Sequence, residues 1–213
     1  MMSEEWSFVK KKRNNNGTQQ TGGGPNQKLE VQKQWARDAS MAISSSSGSN
    51  EVSAEVIIES IRQKATMLRE TAFYKLILSS FCSSSGSGEH GFTSIISLGI
   101  GNFSVYPSSL LQITLALCLK EDLLLVGTGA MTEEKHDIRT QVFDPVFTAN
   151  EKIVCGLLGM QVSAENLAGF HRAETGGEGR TLFFMPHCPY RLYGNVLWEN
   201  WDNLPHVVIL GNR

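Results

Sequence analysis

Three short blocks of this chain carry side chains and backbone types that do chemistry. The first is His187-Cys188, held between Pro186 and Pro189 directly after the apolar run Leu182 to Met185. An imidazole there can act as a general base or a ligand, and a thiolate as a nucleophile. Adjacent side chains rarely point the same way, so the pair fits positioning or binding better than Cys-His covalent catalysis. His187 is the candidate catalytic residue, and Cys188 reads equally well as packing. The second block, Gly99-Ile-Gly101-Asn102-Phe-Ser104, places two glycines between an apolar run and a proline-initiated helix. Such a loop lets backbone approach a phosphate or nucleoside, or is simply a tight turn; the third glycine of the dinucleotide fingerprint is absent. The third block is Asp144-Pro145, where an acidic residue can bond ribose hydroxyls or cap a turn.

These blocks matter only if the fold brings them to one edge. The run Leu182 to Met185 has no polar interruption, as expected of a strand buried on both faces, and Pro186 ends it by removing a backbone donor. Ser94 to Leu98, Gln141 to Phe147 (ending at Asp144-Pro145), Met160 to Ser163 and Val207 to Leu210 supply the other strands. Helices are predicted from Asn50 to about Phe81 (apolar at Ile57, Ile61, Ala65, Leu68, Ala72 and Leu76), from Pro107 through Leu119 (apolar at Leu110, Leu111, Thr114, Leu115 and Cys118), from Asn150 to Leu158, and from Arg191 to about Asp202. Leu123 to Val126 fits a helix extension or a short strand. Gly127 to Thr140 and Gly169 to Arg180 read as loops. The alternation predicts an α/β, Rossmann-like three-layer domain with a mostly parallel sheet of about five strands. All the candidate side chains then sit at strand carboxyl ends, where open α/β sheets place ligands. In the last helix Tyr193, Leu197, Trp198 and Trp201 recur at helical spacing and are expected to be mostly core, while Asn195 and Asn200 reach the strand ends or face water.

The first fifty residues differ in composition. They are rich in Ser, Asn, Gln and Gly, show no helical or strand period, and carry seven Lys and Arg against four Asp and Glu. Residues 1–50 are expected to be a disordered tail and 51–213 the folded domain, with 51–81 its leading helix and 94–213 its sheet core. Within the tail Lys10, Lys11, Lys12 and Arg13 match a nuclear import signal, or a solvated basic patch. The rest of the chain is mildly acidic, twelve basic residues against seventeen acidic. That balance argues against direct nucleic-acid binding, which needs clustered Lys and Arg. Cys82, Cys118, Cys155 and Cys188 are far apart, so neither a disulfide framework nor a metal site is indicated. No apolar stretch approaches eighteen residues, which predicts no membrane span and a cytoplasmic and nuclear protein.

Taken together, Leu98-Gly-Ile-Gly-Asn102, Val142-Phe-Asp-Pro-Val146, Thr181 to Cys188, Leu192-Tyr-x-Asn-x-Leu-Trp198, Asn200-Trp201 and Leu210-Gly-Asn212 resemble the Sensitivity to Red Light Reduced (SRR-like) family, from about Ser94 onward. The start, Trp6-Ser-Phe-Val-Lys10, is similar to plant members. The resemblance implies a regulator of circadian-clock input and phytochrome signalling, with relatives linked to haem synthesis, and acting with regulatory proteins. It supplies no reaction. On this reading Gly99, Gly101, Asn102, Asp144, His187, Asn195 and Asn212 bind a small ligand, with nucleotide, S-adenosylmethionine and haem as the candidates. The competing expectations are a nucleotide- or S-adenosylmethionine-dependent transferase and a non-catalytic scaffold. Three departures stand out: Leu167 replaces an acidic residue after Asn166, the 127–140 insert is long, and the chain stops at Arg213, as a C-terminally truncated form would.

Overall fold

A computed structural model of the chain describes residues 52–83, 91–127, 138–174 and 179–212. The elements in order are α1 (Ala54–Glu70), α2 (Ala72–Ser83), β1 (Phe92–Leu98), α3 (Pro107–Gly127), β2 (Arg139–Phe143), α4 (Ala149–Leu157), β3 (Gln161–Val162), β4 (Arg180–Met185), α5 (Tyr190–Glu199), a single 3-10 turn (Leu204–His206) and β5 (Val207–Gly211). The five strands form one sheet in the order β3-β2-β1-β4-β5, and every pairing is parallel. The expected α/β, Rossmann-like architecture is the one observed.

Alternation along the buried strands divides the interior into two layers. Ile95, Val142, Leu182 and Phe184 join Ile57, Ile61, Tyr74, Ile113, Leu117, Val154 and Cys155 beneath the four helices α1 to α4. On the opposite face Ile96, Leu98, Phe183 and Met185 meet Ala173 and the inner face of α5, Leu192 and Val196. The chain runs from β1 outward to β3 on the first face, then returns to β4 across the second. The direction of winding therefore reverses between β1 and β4, and ligands in open α/β sheets bind at that switch point.

The long leading helix is two helices. Thr71 adopts an extended conformation (φ −72°, ψ 145°) and caps both: its hydroxyl donates to the Leu68 carbonyl at 2.6 Å and accepts from the Tyr74 amide at 3.2 Å. The break rotates the apolar face, so Tyr74 is buried while Leu76, expected inside, is 66% exposed, and Ala72 is exposed too. Arg69 then fixes the corner, its guanidinium donating to both oxygens of Asp122 at 2.9 and 3.0 Å and to Glu121 at 2.5 Å, while the Tyr74 hydroxyl donates to Asp122 at 2.6 Å. Asn50, the expected cap, lies outside the described residues, and Ser53 precedes the first turn instead.

Further boundaries shift for local reasons. α3 continues to Gly127, which settles Leu123 to Val126 as helix. Its buried set is broader than a single stripe, because α1 packs on it from outside: Ile113, Ala116, Leu117, Cys118, Leu119 and Leu123 are all buried, whereas Leu111 is exposed. β2 starts at Arg139 and ends at Phe143, because Asp144 to Val146 form a turn in which the Asp144 carboxylate accepts the Val146 amide at 3.0 Å. α4 starts at Ala149, capped by Thr148. The 128–137 part of the predicted loop lies outside the described residues, as do residues 1–51 and with them the expectation of a disordered tail.

The aromatic stripe of α5 is the clearest correction. Trp198 is 62% exposed and Trp201 72%, and Leu197 is also exposed. Leu192, Val196 and Asn200, spaced four apart, are the buried face instead. The helix ends at Glu199 rather than near Asp202, so Trp201 lies beyond it, and the sheet took the stripe beside the predicted one.

Candidate functional site

β1, β2 and β4 all release their chains on the same edge, and the first residues after each strand line one cleft of about 110 Å³. Leu98 and Gly99 follow from β1, Phe143 to Pro145 from β2, and His187 to Pro189 from β4. Leu192 of α5 closes one wall, and Asn166, Ala168, Gly169 and His171 of the β3–β4 crossover close another. A shallower groove of about 360 Å³ adjoins it, sharing Phe143, Asp144, Pro145 and Asn166 and bordered by Lys152, Val162, Ser163 and Ala164.

Gly99 is required by close approach between the strands. It sits at φ +71°, and a Cβ there would lie 2.6 Å from Cys188 Sγ and 3.0 Å from the His187 carbonyl oxygen. The β1 and β4 ends are therefore in contact, and the glycine loop and His187 share one site. Cys188 seals the same junction, its thiol donating to the Leu98 carbonyl at 3.3 Å. Burial, with a smaller contribution from Asp144, pushes that thiol up to about 12. It stays protonated at neutral pH, which suits a packing role rather than a nucleophile's.

Asp144 is only 8% exposed and lies on the cleft wall. One oxygen accepts the Gly101 amide at 2.7 Å and the other the Val146 amide at 3.0 Å. Burial raises the affinity of this carboxyl for a proton; the two amide bonds and, more weakly, the charge of His187 oppose the rise. His187 itself is exposed at the cleft mouth.

A second buried carboxylate holds the same loop. Glu151 is fully buried and accepts the Ser104 amide through Oε1 and the Thr148 amide through Oε2, both at 2.8 Å. The Glu151 amide in turn donates to the Thr148 hydroxyl oxygen at 3.1 Å, completing a capping box. Asn102 Oδ1 accepts the Val105 amide at 3.0 Å. The amides of Gly101, Ser104 and Val105 are thus all spoken for by side chains of the protein itself.

Of the seven residues expected to bind a ligand, Gly99, Asp144 and His187 line the cleft. The other four stand behind or beside it. Gly101 and Asn102 shape the β1–α3 loop. Asn195 donates to the Ala168 carbonyl at 2.7 Å and so holds the crossover wall. Asn212 follows β5, where the Tyr193 hydroxyl lies 2.9 Å from its Oδ1 and 2.6 Å from the Met185 carbonyl. Asn200 neither faces water nor reaches a strand end. Fully buried, it accepts from the Ala173 amide at 2.6 Å and donates to the His171 and Val196 carbonyls, each at 2.8 Å.

Sequence reasoning did not place Glu151, Ala168 or His171. Thr148-Ala-Asn-Glu151 is the T-x-x-E signature of a capping box and could have exposed the first. Ala168 is left-handed (φ 49°), the one such non-glycine among the described residues, and Gly169 follows it at φ 84°. The Asn166 side chain accepts the Ala168 amide at 2.9 Å, a turn that supports the strained residue, and its Nδ2 is buried without a partner among the described residues. No group of His, Cys, Asp and Glu among the described residues is arranged to hold a metal, and no described helix is long and apolar enough to cross a membrane.

An SRR1-like protein of Drosophila melanogaster is 34% identical over 121 residues, 55% of this chain and 38% of the fly protein. Protein SENSITIVITY TO RED LIGHT REDUCED 1 of Arabidopsis thaliana is 33% identical over 120 residues, again 55% of this chain and 38% of the relative. An SRR1-like protein of Mus musculus is 34% identical over 116 residues, 54% of this chain and 41% of its own. The matched stretch thus spans about two fifths of these relatives' length. No solved structure matches. The SRR1 domain profile covers residues 57–213, from α1 through every strand that lines the cleft, and the chain belongs to the SRR1 domain family.

Proposed function

We propose that this protein is a regulator in red-light signalling and circadian-clock input, and that it works by binding a small ligand in the strand-end cleft. The observation that carries the reading is the convergence of Gly99, Asp144 and His187 on one cleft at the β1/β4 switch point, in a chain similar to a plant protein named for red-light sensitivity. Binding is favoured over covalent catalysis because the thiol beside His187 is protonated and bonded to the Leu98 carbonyl. Gly101, Asn102, Asn195 and Asn212 serve the site by holding its loops.

Complementation tests this directly. Arabidopsis plants lacking the similar protein, supplied with this chain, are expected to recover their red-light growth response and their clock period. The same chain with His187→Trp, which obstructs the cleft mouth from an exposed position, is expected to accumulate equally and to fail. Recovery by both chains would remove the cleft from the function; recovery by neither would remove the signalling role.

The protein is further proposed to act in cytoplasm and nucleus with regulatory protein partners, entry depending on Lys10, Lys11, Lys12 and Arg13. These four residues lie outside the described part of the chain. In a fluorescent fusion, changing all four to alanine is expected to shift signal from nucleus to cytoplasm. An unchanged nuclear fraction would dismiss the basic run as an import signal.

A further inference from the structure

The β1–α3 loop is where a Rossmann-like fold would cradle a phosphate, through backbone amides of the glycine loop and the start of the following helix. Here two of those amides are already bonded to carboxylates. Gly101 donates to Asp144 at 2.7 Å and Ser104 to Glu151 at 2.8 Å, both acids being buried. A phosphate entering this loop would have to displace hydrogen bonds and sit beside one or two buried negative charges, at a cost set by low local screening.

The cleft has no permanent cation to compensate; its basic side chains are the imidazoles of His171 and of His187, the latter exposed at the mouth. No Lys or Arg lines it; Lys152 borders only the adjoining groove. Its walls are mostly apolar, from Leu98, Phe143, Pro145 and Leu192, and among its polar side chains, Asn166, His171, His187 and Asp144, the last is the carboxylate acceptor. Each Asp144 oxygen accepts one backbone amide and keeps a further lone pair. At about 110 Å³ the cleft is well below the roughly 300–1,000 Å³ of drug-sized sites. That is room for one compact ring system, and too little for haem.

From this we infer that the cleft takes a phosphate-free heterocycle, a nucleobase or nucleoside that presents an N–H donor to Asp144, in place of the phosphate of a nucleotide. The inference rests on the cleft being a ligand site, and adds to that reading the chemical class of the ligand. It narrows the earlier candidates: S-adenosylmethionine carries no phosphate and stays within the class with its adenine alone in the cleft and the remainder over the adjoining groove, while phosphorylated nucleotides and haem fall outside it.

The test uses the full chain and titration calorimetry with adenosine, guanosine, cytidine, uridine and S-adenosylmethionine, each of the four nucleosides paired with its 5′-monophosphate, and with inorganic phosphate alone. Amide NMR shifts locate any binding. At least one phosphate-free compound is expected to bind, with shifts at Gly99, Asp144, Ala168 and His187. For a nucleoside that binds, its 5′-monophosphate is expected to bind roughly tenfold more weakly, a factor equivalent to about 1.4 kcal/mol. His187→Trp is expected to abolish the binding while leaving the thermal transition in place. A monophosphate that binds as tightly as its nucleoside, or more tightly with the gain lost in Lys152→Ala, overturns the inference and leaves the cleft a ligand site. Silence from the whole panel overturns both.

Discussion

Glu151→Ala is expected to lower the melting temperature by roughly 5–15 °C. The carboxylate is fully buried and has no cationic partner among the described residues; two backbone amides, Ser104 and Thr148, satisfy it at 2.8 Å. Alanine leaves both donors without an acceptor, and each buried orphan costs about 1–3 kcal/mol. The Thr148 hydroxyl still caps the Glu151 amide, so that bond is not part of the loss. Two such orphans come to about 2–6 kcal/mol, and roughly 2–4 °C per kcal/mol for a domain of this size brackets the stated range. Glu151→Gln keeps one acceptor oxygen and turns an amide group toward the second donor, so it should fall between wild type and alanine. Thr148→Ala removes a single cap bond and should cost about 1 kcal/mol. The check is thermal and urea denaturation followed by circular dichroism for all three variants. If Glu151→Gln melts with the wild type, the carboxylate is not holding two amides and the account of this loop is wrong. Because Glu151 ties α4 to the β1–α3 loop, the alanine variant should also loosen the Gly101–Asp144 contact and weaken ligand binding.

The strand framework was legible because burial on both faces leaves a plain trace: an unbroken apolar run such as Leu182 to Met185 has few other uses. Given that run and four shorter or more polar strand segments separated by helical patterns, the placement of Gly99, Asp144 and His187 on one edge followed from the parallel sheet alone. What resisted reading depended on tertiary cover. Thr71 ends a helix with neither Gly nor Pro, through a hydroxyl bonded on both sides, and nothing in its type announces that. Trp198 and Trp201 are three apart, but period alone reveals neither that α5 stops at Glu199 nor which of its stripes meets the sheet. The crossover wall was harder still. It carries no regular element from Ser163 to Gly179, apart from residues 175–178, which lie outside the described part, and it owes its position to Asn195 and Asn200 on a different element. Its side chains therefore reach the cleft through contacts that no local pattern encodes.

Gly99→Ala is expected to be the most damaging change to the cleft itself, at about 2–5 kcal/mol. Two costs act together. At φ +71° an L-residue pays roughly 1–2 kcal/mol for the left-handed conformation. The new methyl also meets Cys188 Sγ at 2.6 Å and the His187 carbonyl oxygen at 3.0 Å, and overpacking of this kind costs about 1–3 kcal/mol. Cys188→Ala separates them, because it clears the sulfur but neither the backbone oxygen nor the dihedral. The double variant should therefore recover about 1–2 kcal/mol of the Gly99→Ala loss and no more, a coupling that a thermodynamic cycle reads directly. Gly194 in α5 provides the contrast: an added Cβ meets nothing within 4 Å there, and Gly194→Ala should stabilise by roughly 0.5–1 kcal/mol. A Gly99→Ala loss no larger than the roughly 1–2 kcal/mol of its dihedral would mean that the β1 and β4 ends do not touch. Full recovery in the double variant would mean that the sulfur alone dictates the glycine. Partial recovery locates the requirement in the backbone of the β4 turn, which ties the shape of the cleft to a contact between two main chains.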